Sequence, residues 1–285
     1  MEISLPSIDN SREGYEKLIA LNKSLEDSFF DDIEINISHW FSANLCALLG
    51  CILDKAARCN NVKVSVPSEK TRRILQKNGF LAYFGYEKIY DYYDTTVRYL
   101  RLKPNEERFF NEYVIKELLR KRKFPIVSDK LEKKIAESIC EIFVNAQIHS
   151  ETDYIYACGQ FFPRENKINF IIVDRGLGFR KRINSRFSTN LSGVEAIKWA
   201  LGNGNSTKQG VPGGIGLAIL EEFIKLNRGK VQIISDNGFL QIDSQSEASY
   251  NLDEPFAGTV IHMEFRTDDN NSYILSGEIG CNDIF

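Results

Sequence analysis

The stretch Glu137-Ser-Ile-Cys-Glu-Ile-Phe-Val-Asn-Ala-Gln-Ile-His149 decides the fold of this chain. Its apolar residues, continued upstream by Ile135, recur at helical spacing, which predicts an amphipathic helix. Ser128 and Asp129 supply an N-cap just upstream, and Glu132 follows Asp129 at the spacing of a capping box. The helix is therefore expected to bury one face and to expose another.

The other face of this helix carries Glu141, Asn145 and His149, each four residues from the last. This spacing stacks the three side chains along one line of the helix. An asparagine carbonyl oxygen suits Mg²⁺, and a glutamate one turn earlier can accept a proton from a water or a hydroxyl. The alternative is an ordinary polar stripe, with His149 as a capping or packing residue. The helix alone does not decide between these interpretations.

Two later stretches favour a phosphate site. The apolar run Phe170-Ile-Ile-Val-Asp174 ends in an acid and continues as Arg-Gly176-Leu-Gly178, where glycines permit close backbone approach. Further on, Gly213-Gly214-Ile-Gly216-Leu217 opens a second apolar helix. The first turn of such a helix offers free amides and a dipole that favour phosphate.

In this order, Glu141 to Asn145, Asp174-x-Gly176-x-Gly178 and Gly214-x-Gly216-Leu217 resemble the three sequence boxes of the GHKL ATPase superfamily. That group includes DNA gyrase, MutL, the large heat-shock chaperone, sensor histidine kinases and anti-sigma serine kinases. The resemblance covers roughly residues 95–266. It implies an α/β fold, a two-layer sandwich with a mixed sheet, and ATP with Mg²⁺ as cofactors.

The resemblance also assigns roles to residues of this chain. Asp174 accepts a hydrogen bond from the adenine amine, Asn145 holds Mg²⁺, and Glu141 is the catalytic base. Guanine presents a carbonyl at the same place and would leave the acid unpaired. The implied nucleotide-binding set is Asn145, Asp174, Gly176, Gly178, Gly213, Gly214, Gly216, Leu217 and Thr259. Two members of the region keep alternatives: Thr259 is equally an ordinary strand threonine, and Lys208 is a γ-phosphate ligand or a solvated lysine.

The first 94 residues alternate short strands and helices, which predicts a small α/β domain. The expected elements are a helix over 14–27, a strand over 32–37, a helix over 43–57, a strand over 62–66 and a helix over 70–77. About 60 residues resemble STAS domains, the fold of anti-sigma-factor antagonists. Their phosphorylated turn corresponds to Phe41-Ser-Ala-Asn-Leu45, which lacks the acid and the glycine and places Ala43 at the acceptor position. We therefore expect an interaction or packing domain without chemistry.

The remaining elements follow from local patterns. We expect strands over 95–102, 154–162, 168–173, 231–234, 239–242 and 259–265, and helices over 106–121, 193–201 and 215–226. Asp236-Asn-Gly238 predicts a hairpin turn. Residues 179–213 are expected to form a lid over the nucleotide, mobile in its glycine-rich part, 202–213. The tyrosine-rich segment 83–94 is expected to pack between two domains, and the tail beyond Thr267 to be loose.

Composition bounds the cellular context. The chain has 285 residues, a net charge of −3 and six cysteines without a Cys-x-x-Cys pair, which predicts reduced thiols and a cytoplasmic location. No signal peptide and no apolar run of about 20 residues is present, so no membrane segment is expected. The basic run Arg120–Lys123 is interpreted as a solvated helix end, and nucleic acid is not an expected partner.

We expect three parts, over residues 1–94, 95–266 and 267–285. Three alternative functions remain for the protein as a whole. The first is a slow ATPase or a nucleotide-driven switch. The second is a serine/threonine kinase of the anti-sigma type acting on a separate STAS-like protein, and the third is a nucleotide-bound scaffold without turnover. A sensor histidine kinase is disfavoured because none of His39, His149 and His262 lies on a dimerisation helix ahead of Glu141. Expected partners are ATP or ADP and a protein, with a homodimer possible.

Overall fold

The chain forms an α/β structure, and the computed structural model describes residues 1–121, 123–149, 152–202, 215–275 and 278. In the N-terminal unit, residues 1–94, three parallel strands lie in the order β1-β2-β3. The elements of this unit are β1 (Glu2–Ser4), α1 (Arg12–Ser24), β2 (Asp32–Asn36), α2 (Cys46–Ala56), β3 (Asn61–Ser65) and α3 (Glu69–Lys77). The predicted alternation of helices and strands is confirmed there.

A second, five-stranded sheet organises the rest of the described chain. Its order is β4-β6-β7-β9-β8, and each of its strand pairs is antiparallel. The elements are β4 (Thr96–Leu102), α4 (Glu107–Tyr113), β5 (Ile126–Val127), α5 (Asp129–His149), β6 (Ile155–Phe162), β7 (Lys167–Asp174), α6 (Gly178–Phe187), α7 (Gly193–Leu201), α8 (Ile215–Leu226), β8 (Lys230–Asp243), β9 (Glu247–Arg266) and β10 (Ser272–Tyr273). A π-helical turn, Val114–Leu119, continues α4.

The five-stranded sheet is covered on both faces. Alternate residues of β7 show this: Ile168, Phe170 and Ile172 pack with helices α4, α5 and α8, whereas Ile171 and Val173 pack with the N-terminal unit. The predicted α/β sandwich is therefore present, and the N-terminal unit adds a third layer behind it. Parallel pairing is found in the three-stranded sheet and between β5 and β10, while the five-stranded sheet has antiparallel pairs.

Hydrogen bonds fasten the N-terminal unit to the sheet. The N–H of Ala43 donates to Oε1 of Gln160 on β6 over 2.6 Å, and Tyr156 donates its hydroxyl to Asp54 of α2 over 2.7 Å. Ala43 is fully buried, so the turn that corresponds to the STAS phosphorylation turn is a docking contact. The boundary at residue 94 thus separates two parts that share one apolar core.

Two local predictions are wrong. The predicted hairpin at Asp236-Asn-Gly238 is a bulge inside the single long strand β8, where Asp236 has a φ of 55° and the register against β9 shifts. The same turn-forming residues suit a bulge, because both structures need a positive φ. The actual turn follows Asp243, whose carboxylate accepts from the N–H groups of Gln245 and Ser246.

The cap of α5 also differs from the prediction. Ser128 alone supplies the N-cap, since its hydroxyl accepts from the N–H of Leu131 over 3.1 Å. Glu132 does not close a capping box with Asp129, because its carboxylate accepts two hydrogen bonds from Arg120. The Glu132 carboxylate therefore pairs with Arg120, which lies outside α5, and not with the backbone N–H of Asp129.

Three further segments can be compared with their predictions. The lid region contains a helix that was not predicted, α6, besides the predicted α7. The predicted packing of the tyrosine-rich segment between domains is wrong for Tyr90, Tyr92 and Tyr93, which show 78–85% of their surface, whereas Tyr83 packs edge-on against Tyr99 of β4. Tyr273 of the tail docks edge-on against Phe223 with ring centroids 5.2 Å apart. The glycine-rich loop beyond Gly202 lies outside the described residues.

Gly258 allows β9 to pass close to the end of β7. Its φ is 139°, and a Cβ at this position would lie 2.1 Å from the carbonyl oxygen of Asp174. We expect Gly258→Ala to lower the free energy of unfolding by more than about 3 kcal/mol, because strain and a backbone clash add. Gly85→Ala is the control, since Gly85 has a φ of 83° and open space around it. It should cost about 1–2 kcal/mol. Urea denaturation measures both losses, and equal losses would show that β9 moves away without cost.

Candidate functional site

A buried carboxylate marks the carboxyl end of β7. Asp174 pairs in register with Thr259 of β9, and each side chain is only 8% exposed. The Asp174 carboxylate accepts a hydrogen bond from the N–H of Gly176 over 3.0 Å, and the Thr259 hydroxyl beside it lowers its pKa. The structure therefore brings together three of the predicted site residues at one strand end.

The loop after Asp174 is fixed by β8 and β9. Gly178 has a φ of 69°, and a Cβ there would lie 2.7 Å from the Ser235 hydroxyl. That hydroxyl accepts from the N–H of Phe179 over 2.8 Å and donates to the carbonyl of Gly258 over 3.2 Å. The glycine is thus required by a tight contact between the first turn of α6 and two strands.

The electrostatic environment of Asp174 is unusual for an aspartate. Burial raises the pKa of Asp174 to about 7, against the opposing effects of Gly176, Thr259 and the nearby charge of Arg182. Burial also lowers the pKa of the Arg182 guanidinium, whose Nε has no hydrogen-bond partner among the described residues. An acceptor and a cation are therefore both held away from water beside the same loop.

Helix α5 ends near this edge of the sheet. It is followed by β6, whose first residue, Ile155, pairs with Asp174. Asn145 and Glu141 are both half-buried, and in the described parts of the chain no hydrogen bond or ion pair joins either residue to Asp174. The topology places them at the same end of the sheet, and their direct cooperation stays a prediction.

Glu141 borders a surface depression between α4 and α5 that is open to solvent. The other lining residues are Glu107, Arg108, Asn111, Glu137, Cys140 and Val144. Three carboxylates and one arginine stand among its lining residues, and Glu141 is accessible from outside. A water or the hydroxyl of another molecule can reach this carboxylate through the depression.

The second glycine stretch is described only in part. Gly213, Gly214 and Lys208 lie outside the described residues, whereas Gly216 and Leu217 fall in the first turn of α8. Helix α8 packs beside α5 on the same face of the sheet. The helix predicted to face phosphate is therefore present, next to the helix that carries Asn145.

Sequence reasoning missed three contributors to this region. Ser235 and Arg182 carry no local motif, and Arg175 was treated only as the variable position between Asp174 and Gly176. A usable signal existed for α6, because Phe179, Ile183 and Phe187 recur at helical spacing. For Ser235 there was none, since its contacts depend on the pairing of distant strands.

The described residues contain no cluster of three or more His, Cys, Asp or Glu side chains placed to hold a metal. Across the described helices, none has the length and apolarity needed to cross a membrane. Comparison of the sequence with protein-family models gives no match, and comparison with curated proteins gives no match either.

The raised pKa of Asp174 predicts a pH-dependent stability. Because the folded-state pKa lies above the unfolded value, the native state binds the proton more tightly, and this group costs stability as the pH rises from about 4 to 7. Asp174→Asn should therefore be more stable than wild type at pH 8, by on the order of 3 kcal/mol, with the difference shrinking towards pH 5.

Urea denaturation at pH 5, 6, 7 and 8 measures this difference. The matched control is Asp243→Asn, because hydrogen bonds from Gln245 and Ser246 lower the pKa of Asp243, so its contribution is constant in that range. A difference between Asp174→Asn and wild type that does not change with pH would contradict the raised pKa.

Proposed function

We propose that this protein binds ATP with Mg²⁺ in the manner of the GHKL superfamily, as a slow ATPase or a nucleotide-driven switch. The observation that carries the proposal is the buried Asp174 carboxylate, paired with Thr259 and followed by a tight glycine loop. A buried acceptor at a strand end selects a ligand that donates there, as the exocyclic amine of adenine does. The proposal rests on this geometry and on the order of the three sequence boxes.

The bound nucleotide would extend from Asp174 towards the helices. The base and ribose would lie against Gly176 and Gly178, and the phosphates at the first turn of α8, whose amides and dipole favour anions. Asn145 would offer its carbonyl oxygen to a Mg²⁺ bound to the phosphates. The ion, when bound, would neutralise charge on the phosphates.

At the γ-phosphate end of the nucleotide, Glu141 would act as the general base. Its carboxylate would take the proton of the attacking O–H group as that oxygen bonds to the γ-phosphorus. The bond from phosphorus to the β,γ-bridging oxygen then breaks, and ADP leaves with that electron pair. Water as the nucleophile gives hydrolysis, and a serine or threonine hydroxyl gives protein phosphorylation.

One observation favours the kinase as a second candidate. Glu141 lies at the wall of an open depression, where a side chain of another protein can enter. An ATPase that only hydrolyses needs access for water alone. The candidate substrate would be a separate STAS-like protein, because Ala43 of this chain carries no hydroxyl and is buried. The scaffold without turnover remains the third reading.

The assigned role of Asp174 can be tested through nucleotide binding. ATP or ADP with Mg²⁺ should raise the melting temperature of the wild type, because a ligand that binds only the native state stabilises it. Asp174→Asn should melt higher than wild type without nucleotide at pH 8, yet gain little from nucleotide, since an amide NH₂ opposes the adenine amine. These opposite effects separate ligand recognition from stability. Equal nucleotide-induced shifts in both proteins would exclude the assigned role of Asp174.

The assigned role of Glu141 can be tested through turnover of ATP. Glu141→Ala should reduce phosphate release or transfer by about 10²–10⁴-fold, which is the usual contribution of a general base, and leave ATP affinity within a few-fold. Asn145→Ala should also lose Mg²⁺-dependent affinity. Glu112→Ala is the control, as Glu112 lies on α4 outside the lining of the depression and pairs with Lys116. Wild-type turnover in Glu141→Ala would refute the catalytic role, and binding without turnover in the wild type would favour the scaffold.

A further inference from the structure

Arg175 links the loop after β7 to the N-terminal unit. It lies between Asp174 and Gly176, and its Nη2 donates to Oδ1 of Asn22 on α1 over 2.9 Å. Asn22 is only 3% exposed and Arg175 is half-buried, so the contact is partly shielded from water. A residue at the centre of the candidate base-binding loop is therefore bonded to a helix 153 positions away in sequence.

Two more contacts hold Arg175 in place. Its backbone N–H donates to the Thr152 hydroxyl over 3.3 Å, and its guanidinium carbon lies 5.8 Å from the centre of the Phe256 ring. Phe256 is fully buried and stands two residues before Gly258. The arginine thus joins the segment before β6, the start of the buried part of β9 and α1 at one point.

This arrangement is not what stability alone would favour. Nη1 of Arg175 is buried without a hydrogen bond to oxygen or nitrogen in the described chain, and the Cys51 thiol beside the guanidinium is a weak acceptor. A poorly matched buried donor costs free energy. The neighbouring Cys51 shows how dry the site is, because burial raises the pKa of its thiol to about 12. The guanidinium is therefore better explained by what it positions.

We propose that Arg175 is a positioning residue, which fixes the Asp174–Gly178 loop against α1 through Asn22 and so couples nucleotide binding to docking of the N-terminal unit. The proposal rests on the proposed nucleotide-binding function. Coupling of this kind is reciprocal: nucleotide strengthens the docking of α1, and a docked α1 strengthens nucleotide binding by the same factor. A molecule that pulls α1 from the sheet would release the nucleotide.

The test measures the affinity for Mg²⁺-ADP in Asn22→Leu, Arg175→Met and the double variant by titration calorimetry. Each single change should raise the Kd by about 5–50-fold, within the usual range of coupling between sites. The Kd of the double variant should not exceed the higher of the two single-variant Kd values, because both changes remove the same interaction. Asn22→Asp should retain affinity near wild type, since a carboxylate accepts from the guanidinium as well.

The matched control is Thr71→Val. Thr71 is another buried polar residue of the N-terminal unit, and its hydroxyl donates to the carbonyl of His39 within that unit over 3.0 Å. We expect this variant to melt at a lower temperature while its Kd for Mg²⁺-ADP stays unchanged. Hydrogen exchange of residues 12–24 gives a second readout, because nucleotide should increase their protection in wild type and not in Asn22→Leu.

The outcomes separate this proposal from the function on which it rests. A lower melting temperature of Asn22→Leu with an unchanged Kd would overturn the coupling and leave nucleotide binding intact, since Asn22 would then act in packing only. Failure of the wild type to bind Mg²⁺-ADP or Mg²⁺-ATP would overturn the proposed function and the coupling together. Increased protection of residues 12–24 by nucleotide in both wild type and Asn22→Leu would assign the coupling to a different contact.

Discussion

The burial of the five-stranded sheet on both faces is the constraint on which the rest of the structure depends. A central strand such as β7 has no solvent-facing side, so its interior is a continuous apolar run in place of an alternating one. A polar ligand cannot enter through either face. The remaining positions are the ends of the strands, and the buried acid, its threonine partner and the glycine loop all occur there.

That position explains why Asp174 can be both costly and useful. At the end of β7 the carboxylate is shielded from water by β9 and the turn, yet it adjoins loops that leave the sheet. Its desolvation is a cost to folding, and the Gly176 N–H and the Thr259 hydroxyl offset part of it. A group retained against that cost is typical of a binding or catalytic site, because a neutral side chain would serve the fold better.

Local pattern in the sequence was sufficient for α5, β6, β7 and the helices of the N-terminal unit, because each shows its own periodicity and ending signals. Local pattern did not predict the structure where the outcome depends on contacts with distant parts of the chain. Asp236-Asn-Gly238 fits a hairpin or a bulge equally well, and only the pairing of β8 with β9 selects the bulge. The packing of the N-terminal unit as a third layer could not be predicted for the same reason. Its contacts, such as that between Arg175 and Asn22, join residues that are far apart in the sequence. Asp174 and Thr259 were named from the resemblance, while their position opposite each other required the sheet register.

The attachment of the N-terminal unit to the back of the sheet also has a consequence for competition between molecules. The unit and the surface that it covers are parts of one chain, so each meets the other at an effective concentration on the order of millimolar. A free protein of similar shape, present at micromolar levels, would be outcompeted for that surface by the tethered neighbour. The back of the sheet is therefore insulated from outside molecules for as long as the N-terminal unit stays attached to it.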